Sequence, residues 1–390
     1  RWEQLERDPE LAGPWKQLFR QVQSPRHVLS ELLQNADDAG ARRVRVWIEK
    51  DVFYFEHDGH DFTEEELASL CRFGFSNKRT LHTIGFRGIG FKSTFSLGDS
   101  VQLLTPTLAI RFEKQRFTLP IWIEEAPPCE KTQISVRIQD EARKEALQQN
   151  LNEWIESPAS LLFFSHIEEL EIDGRIIQKQ RVGEGPVAGS EVIRLLSKRE
   201  YEVWCFTSEP EPFPDEVLKE ISQERDVEDL NLPPCRVQLV LGLPNPQRLY
   251  TVLPTGVEVA LPFSCNAPFL QDPARSGIKD PATSLTNRWL LERLGRLAGH
   301  SMRDWLTNSQ LPPKERARAY ELLPPPPPRE GSSIETEAFR IVFGAFIKAI
   351  DAHPILLTID GKLVHRKACL APPRSAYKIW KPDYLPELFQ

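Results

Sequence analysis

The chain has 390 residues, a length that favours two or three domains. Its hydrophobic fraction of 40% and charged fraction of 27% are typical of globular proteins with sizeable cores. The net charge of -7 argues against a broadly basic surface that coats nucleic acid. No apolar run approaches the ~18 residues that a membrane span needs, so we expect no membrane association.

The cysteines and the start of the chain bear on its compartment. The six cysteines are scattered and include no C-x-x-C pair, so neither a zinc site nor a disulfide framework is expected. This pattern and the lack of a recognisable signal peptide favour a reducing cytoplasm. The chain begins with Arg1 and has one methionine, Met302, and we therefore expect it to be a piece of a longer protein.

Residues 1–182 mix helical and strand patterns and are predicted to form the first domain. Ser24-Pro25 supplies a cap and a first-turn proline for a helix that ends near Ala39. Thr63 and Glu66 form a capping box before a helix predicted to end near residue 73. The other predicted elements are strands over 44–48, 52–55, 100–105, 109–113, 116–123 and 132–138, helices over 91–97 and 141–151, and a hairpin over 167–181.

A glycine-rich stretch, Gly183 to Pro186, indicates the boundary to a second domain over residues 183–310. A C-terminal extension over 311–390 contains the proline run Pro324–Pro328 and is a candidate for the start of a further domain. The elements predicted here are strands over 192–207, 235–243 and 256–262, helices over 214–224, 284–308 and 335–352, and a strand-turn-strand over 355–364.

The first helix carries the most informative motif of the chain. Because a helix repeats every ~3.6 residues, Glu31, Asn35 and Asp38 share one of its faces. That face offers a carboxylate that can activate water, an amide oxygen that can bind a hard cation, and a second carboxylate. A glutamate and an asparagine four residues apart on a helix usually lie on a solvent-exposed face, so the assignment of a site needs a second observation.

The second observation is the glycine motif Gly85-x-x-Gly88-x-Gly90, about 50 residues later. Its glycines let backbone amides approach an anion and open a helix whose N-terminus favours negative charge. A dinucleotide fold uses similar spacing, but its glycines directly follow the first strand. Here a polar loop precedes them, and the two motifs together predict a site for Mg-ATP.

With these motifs the sequence resembles the gyrase, heat-shock chaperone, histidine kinase and MutL (GHKL) ATPase superfamily, and more narrowly its sacsin-type branch. The resemblance is good over residues 25–180 and looser to about 308. It implies an α/β chain whose first domain is a two-layer α/β sandwich, the Bergerat ATP-binding fold, followed by an α/β transducer-type domain. In the family the Glu is the general base and the Asn holds magnesium, which carries over to Glu31 and Asn35, with Asp38 as the further acid. The remaining nucleotide-binding positions implied are Gly85, Arg87, Gly88, Ile89, Gly90, Phe91 and Lys92, with Lys78 in the expected mobile lid.

The chain departs from the family at the motif that recognises adenine. The family has Asp-x-Gly-x-Gly, and alignment on Gly59 places His57 where the Asp belongs and Asp61 at the second glycine. Recognition of the adenine amino group needs an acceptor, for which a carboxylate is the natural choice. Asp58, one position late, is therefore predicted as the adenine-recognising residue, with His57 as the alternative.

The second domain contains a segment, 261–275, that resembles the catalytic loop of the family's transducer domain. In the family a cation from this loop reaches the γ-phosphate, as an arginine finger does elsewhere. The resemblance makes Arg275 the candidate for that role and Lys279 the reserve. Such a contact across the domain boundary would let ATP change the relative position of the two domains.

Two histidines and two arginines also have simpler interpretations than a functional site. His57 and His60 could ligate a metal, but they lack a third ligand at a suitable spacing and are more often hydrogen-bonded loop residues. Arg43 and Arg45 alternate with valines, which is typical of the solvent face of a strand rather than of a nucleic-acid site.

The predicted function is Mg-dependent ATP binding with slow hydrolysis that drives conformational change in a larger machine, either chaperone-like or DNA-processing, including anti-phage defence. The alternative is an ATP-sensing scaffold that recruits a partner without hydrolysis. A histidine kinase is disfavoured because no phospho-acceptor helix is recognisable. The family implies a homodimer through the N-terminal helices, and the aromatic-rich opening, Trp2 to Phe19, fits either this dimer or simple packing within the chain. Any nucleic-acid or protein client would bind through regions outside this chain.

Overall fold

The computed structural model describes residues 25–368 apart from 72–90, 128, 226–231, 273–276, 328–330, 332 and 359. Within these residues one fourteen-stranded mixed sheet runs through the molecule and helices pack on it. The prediction of an α/β fold is therefore confirmed.

The elements are numbered in chain order. The helices are α1 (Pro25–Asp38), α2 (Glu64–Leu70), α3 (Glu141–Glu156), α4 (Asp215–Arg225), α5 (Leu285–Thr307), α6 (Pro313–Ala317) and α7 (Ile334–Ile350), with 3-10 segments at Phe91–Ser96, Lys114–Arg116, Pro158–Phe163, Arg318–Leu322 and Arg366–Ala368. The strands are β1 (Arg43–Glu49), β2 (Val52–His57), β3 (Ser100–Leu104), β4 (Ala109–Glu113), β5 (Ile121–Trp122), β6 (Thr132–Arg137), β7 (Glu169–Ile172), β8 (Arg175–Glu184), β9 (Ser190–Leu196), β10 (Glu200–Thr207), β11 (Gln238–Leu241), β12 (Gln247–Thr251), β13 (Leu253–Val259), β14 (Phe263–Asn266), β15 (Leu356–Leu357) and β16 (Leu363–Val364).

The order of the large sheet is β13-β12-β14-β11-β10-β9-β8-β7-β1-β2-β6-β3-β4-β5, and β15 and β16 form a separate hairpin. Only the β1–β7 and β12–β14 pairs are parallel. The predicted domain boundary at residue 183 lies inside β8, which pairs with β7 on one side and β9 on the other. The sheet therefore continues across that boundary.

The first half of the sheet is built from strands that alternate as predicted. Val44 and Val46 of β1 point into the core, whereas Arg43 and Arg45 point to solvent. Arg45 lies 4.8 Å from the ring centre of Trp47 and forms an ion pair with Glu171. Arg45 therefore packs along the solvent face of the sheet, as the strand pattern predicted.

Several local predictions differ from the structure, and the segment 192–207, predicted as strand throughout, forms the two antiparallel strands β9 and β10. The segment predicted as a helix over 91–97 is a fully buried 3-10 helix, a form suited to such short pieces. The strand predicted over 116–123 is limited to β5, because a turn follows buried Phe117 and Pro120 cannot donate to a ladder. Strands β12 and β14 were missed, and β14 lies inside the segment that was expected to be a loop.

A second core lies under the other half of the sheet and is closed by α5 and α7. The two helices approach closely because α5 has glycines at the contact. A Cβ added at Gly295 would lie 2.3 Å from the carbonyl oxygen of Val342, and one at Gly299 would lie 2.7 Å from the Cβ of Ala349. Since α7 belongs to this core, we propose that residues 311–350 form one unit with residues 183–310.

None of the helices in the described part of the chain combines the length and apolar composition required to cross a bilayer.

Candidate nucleotide site

Helix α1 has an apolar face that packs on the sheet and a polar face that carries the predicted site. The buried apolar residues are Val28, Leu29, Leu32, Leu33 and Ala36. On the polar face, exposure increases along the helix: Glu31 is 9% exposed, Asn35 is half-buried and Asp38 is exposed. The periodicity argument is thus confirmed for the helix, and it places a carboxylate and an amide one turn apart at the edge of the core.

The acid next to Asp38 has a structural role that the sequence did not reveal. The carboxylate of Asp37 accepts hydrogen bonds from the backbone N–H groups of Ser165, His166 and Ile167 at 2.9, 2.7 and 3.0 Å. These bonds hold the C-terminal end of α1 against the segment that leads into β7. Of the two adjacent acids, only Asp38 is exposed.

Asp58, predicted to recognise adenine, is exposed and bonded to the backbone. Its Oδ1 accepts hydrogen bonds from the N–H groups of Arg42 and Arg43 at 2.8 and 2.9 Å. This carboxylate therefore supports the loop between α1 and β1. The placement favours His57 over Asp58 as the residue that meets the base, and the assignment remains a prediction.

His57 lies at the end of β2, on the helix-facing side of the sheet, and is 6% exposed. Its Nδ1 accepts a hydrogen bond from the N–H of Gly59 at 3.1 Å. Burial lowers the pKa of His57 to about 4, so the imidazole is neutral near pH 7 and carries its proton on Nε2. His60 is exposed and contacts Glu66 at 3.3 Å, so the two histidines differ in both burial and partner.

Gly59 lies directly against the end of α1. A Cβ at this position would be 2.7 Å from the carbonyl oxygen of Ala39, so the close approach requires glycine. Asp61, which replaces the second glycine of the family motif, accepts hydrogen bonds from the hydroxyl and the N–H of Thr107 at 2.7 and 3.1 Å. Burial raises the pKa of Asp61, but these hydrogen bonds outweigh it and lower the pKa overall. The departure from the family motif thus adds a tie to the β3–β4 turn.

The 3-10 helix Phe91–Ser96 packs against α1, which brings the continuation of the glycine motif next to the first motif. Lys92 is 2% exposed, and its Nζ donates to the carbonyl oxygen of Leu70 at 3.0 Å. Burial lowers the pKa of Lys92 to about 8. This bond joins the two ends of the segment that contains the predicted lid and glycines. The predicted residues Lys78, Gly85, Arg87, Gly88, Ile89 and Gly90 lie outside the described residues.

Several polar side chains of the first unit have buried atoms without a hydrogen-bond partner among the residues that the structure describes. They are both amide atoms of Gln34 and the hydroxyls of Ser69, Ser93, Ser96 and Thr132. A buried polar group without a partner costs about 1–3 kcal/mol, so each of these groups would be stabilised by a polar ligand that reached it. The donors and acceptors therefore fit a polar ligand such as a nucleotide with its metal.

Thr132 is the member of this group that sequence reasoning missed most clearly. It is 1% exposed and pairs directly with His57 across β2 and β6. The strand predicted over 132–138 begins at Thr132 as in the structure, but the sequence did not indicate that Thr132 pairs with His57. Gln34 and Ser93 are next to the predicted site residues Asn35 and Lys92 in the sequence, and this adjacency is the signal that could have identified them.

Of the two cationic residues expected from the second unit, the structure describes Lys279. Lys279 forms an ion pair with Glu224 of α4, so its ammonium is engaged within its own unit. Arg275 lies outside the described residues. The roles of both remain predictions.

A cleft of about 1060 Å3 separates the C-terminal end of α1 from the second half of the sheet. Its lining includes Asp37, Asp38 and Phe163 as well as residues 267–272, which precede Arg275. Phe163 and Tyr250 meet across the two halves with ring centres 4.7 Å apart. The second unit thus faces the end of the helix that carries the candidate site.

In the described ranges, no group of three or more His, Cys, Asp or Glu residues could hold a metal ion. A magnesium ion bound mainly by phosphate oxygens and one amide oxygen needs no such group.

Comparison with known families agrees with this geometry. Residues 23–126 match a family described as histidine kinase-, DNA gyrase B- and HSP90-like ATPase. The match supports the GHKL superfamily. It covers less than half of the chain and encloses α1 to β5 with both predicted motifs. No curated protein gives a significant match to the chain. The GHKL match suggests ATP binding and hydrolysis, whereas the sacsin-type branch remains a prediction.

Proposed function

We propose that this chain binds ATP with Mg2+ and hydrolyses it slowly, and that the nucleotide changes the arrangement of its two α/β units within a larger machine. The observation that carries the proposal is the polar face of α1. Glu31 and Asn35 lie one turn apart on this helix, and both fall inside the range that matches the ATPase family.

The residues of this face suit the chemistry of phosphoryl transfer to water. The amide oxygen of Asn35 would hold Mg2+, which supplies charge neutralisation for the phosphates when it is bound. Glu31 would orient the attacking water and accept its proton, a role for which a carboxylate at the edge of the core is well placed. Backbone amides of the 85–90 glycines would bind phosphate oxygens.

The output of hydrolysis would be mechanical. Residues 267–272 line the same cleft as Asp37 and Asp38 at the end of α1, which supports the approach of a cation from the second unit to bound nucleotide. Arg275, or Lys279 after release from Glu224, would stabilise the charge of the transferring phosphate. Such a contact would favour a closed arrangement of the units, as expected for a chaperone-like or DNA-processing machine.

Phosphate release by the native chain and by Glu31→Ala tests this proposal. Loss of a general base lowers turnover on the order of 100- to 10,000-fold, while ATP binding is retained. Glu153→Ala, an exposed glutamate on α3, is the matched control and keeps the native rate. Equal background release by all three proteins, together with ATP binding, would instead support the non-hydrolysing scaffold.

A further inference from the structure

The inference concerns the base of the nucleotide and rests on the proposed function. His57 and Thr132 face each other across β2 and β6, and both side chains are buried on the helix-facing side of the sheet. Direct cross-strand partners have Cβ atoms about 4.5–5.5 Å apart, close enough to contact one flat ligand edge. A Cβ at Gly59 would lie 2.7 Å from the carbonyl oxygen of Ala39, just after α1, and 3.0 Å from Nδ1 of His57, so the His57 end of β2 lies near the C-terminal end of α1.

The hydrogen-bonding character of His57 is set by its neighbour. Because Nδ1 accepts the N–H of Gly59, the neutral ring presents an N–H donor at Nε2. No described residue accepts a hydrogen bond from that Nε2. The hydroxyl of Thr132, which is also unpartnered among described residues, can either donate or accept. The pair therefore offers one fixed donor and one adaptable group.

This polarity is the reverse of the one that a carboxylate would present. A carboxylate accepts from the 6-amino group of adenine and repels the carbonyl oxygen of a 6-oxopurine. An imidazole N–H instead donates to that oxygen, and the hydroxyl of Thr132 can then accept from the adjacent ring N–H. Adenine satisfies the same pair only when its ring nitrogen, rather than its amino group, meets His57.

We propose that His57 and Thr132 determine base specificity, and that the site binds 6-oxopurine nucleoside triphosphates at least as well as ATP.

Calorimetric titration of the full chain with inosine triphosphate and with ATP, both with Mg2+, tests the proposal. The two ligands differ only at the edge in question. We expect the native chain to bind inosine triphosphate with a Kd no weaker than that of ATP. His57→Asp should shift the ratio of the two Kd values toward ATP on the order of 10- to 100-fold.

Thr132→Val supplies a readout that a structural role would not produce. It removes a hydroxyl that has no partner, so the melting temperature of the nucleotide-free variant should equal or exceed the native one. Its affinity for both triphosphates should nevertheless fall about 3- to 10-fold, as expected for the loss of one hydrogen bond. An unchanged affinity would overturn the role of Thr132.

A native chain that binds ATP at least tenfold more tightly than inosine triphosphate would overturn the specificity claim and leave the proposed function intact. Failure of the folded chain to bind any of ATP, GTP and inosine triphosphate would overturn the proposed function and the inference together. The two failures are therefore distinguishable.

Discussion

The carboxylate of Asp37 is expected to hold the end of α1 in place, and its removal is the sharpest test of the fold around the site. It accepts three backbone N–H groups, at 2.7 to 3.0 Å, and its side chain is 13% exposed. Hydrogen bonds to a charged acceptor contribute about 1.5–3 kcal/mol each, but water would reach some of the freed amides. We therefore expect Asp37→Ala to lower the free energy of unfolding by about 3–5 kcal/mol in total.

Urea denaturation followed by circular dichroism measures this loss. The matched control is Asp38→Ala, because Asp38 is the adjacent acid on the same helix and is exposed. That variant should lose less than about 1 kcal/mol. A loss below about 1 kcal/mol for Asp37→Ala, or equal losses for the two variants, would refute the assignment of Asp37 as the anchor of α1.

Three further predictions concern packing, protonation and thiol chemistry. Gly295→Ala should lower the free energy of unfolding by about 2 kcal/mol or more, because its Cβ would clash with the α7 backbone. Gly344→Ala has open space around it and should raise the free energy of unfolding by up to about 1 kcal/mol. Thermal melts of the two variants test this difference. The pKa of His57 is about 4 in the folded state and 6.5 in the unfolded state, so the unfolded state binds the proton first as the pH falls. The free energy of unfolding should therefore be highest above pH 6.5 and decrease by about 3 kcal/mol by pH 4. Urea titrations of the native chain should show this loss, and those of His57→Gln should not. Cys265 is buried, and this burial raises the pKa of its thiol well above the usual range. In the native state a thiol reagent should therefore label the partly exposed Cys129 and leave Cys265 unmodified. Rapid labelling of Cys265, detected by mass spectrometry, would contradict its burial.

Much of the first unit followed from patterns that act over a few residues. The capping box of Thr63 and Glu66 forms as predicted, and β1 alternates between core and solvent. The range predicted for α1 agrees with the structure to within a residue at its C-terminal end. These features depend on local hydrogen bonds and side-chain periodicity, which are legible in a short window of sequence.

The arrangement of the site could be predicted only in part. The shared face of Glu31 and Asn35 followed from helical periodicity, but the choice between His57 and Asp58 did not. The side chain of Asp58 bonds to the α1–β1 loop and that of His57 points inward, because alternation along β2 directs every second residue to the core. A one-residue offset in the motif therefore exchanged a buried ring for an exposed carboxylate.

The sequence by itself determined the α/β class, the polar face of α1 and the expectation of a nucleotide site. Only the tertiary structure decided that Asp37 meets residues 128 to 130 positions away, and that Thr132 faces His57. The reason is that strand order and register, which set such long-range partners, arise from the burial of whole faces against each other. The sequence of one segment does not specify which distant segment will pack against it.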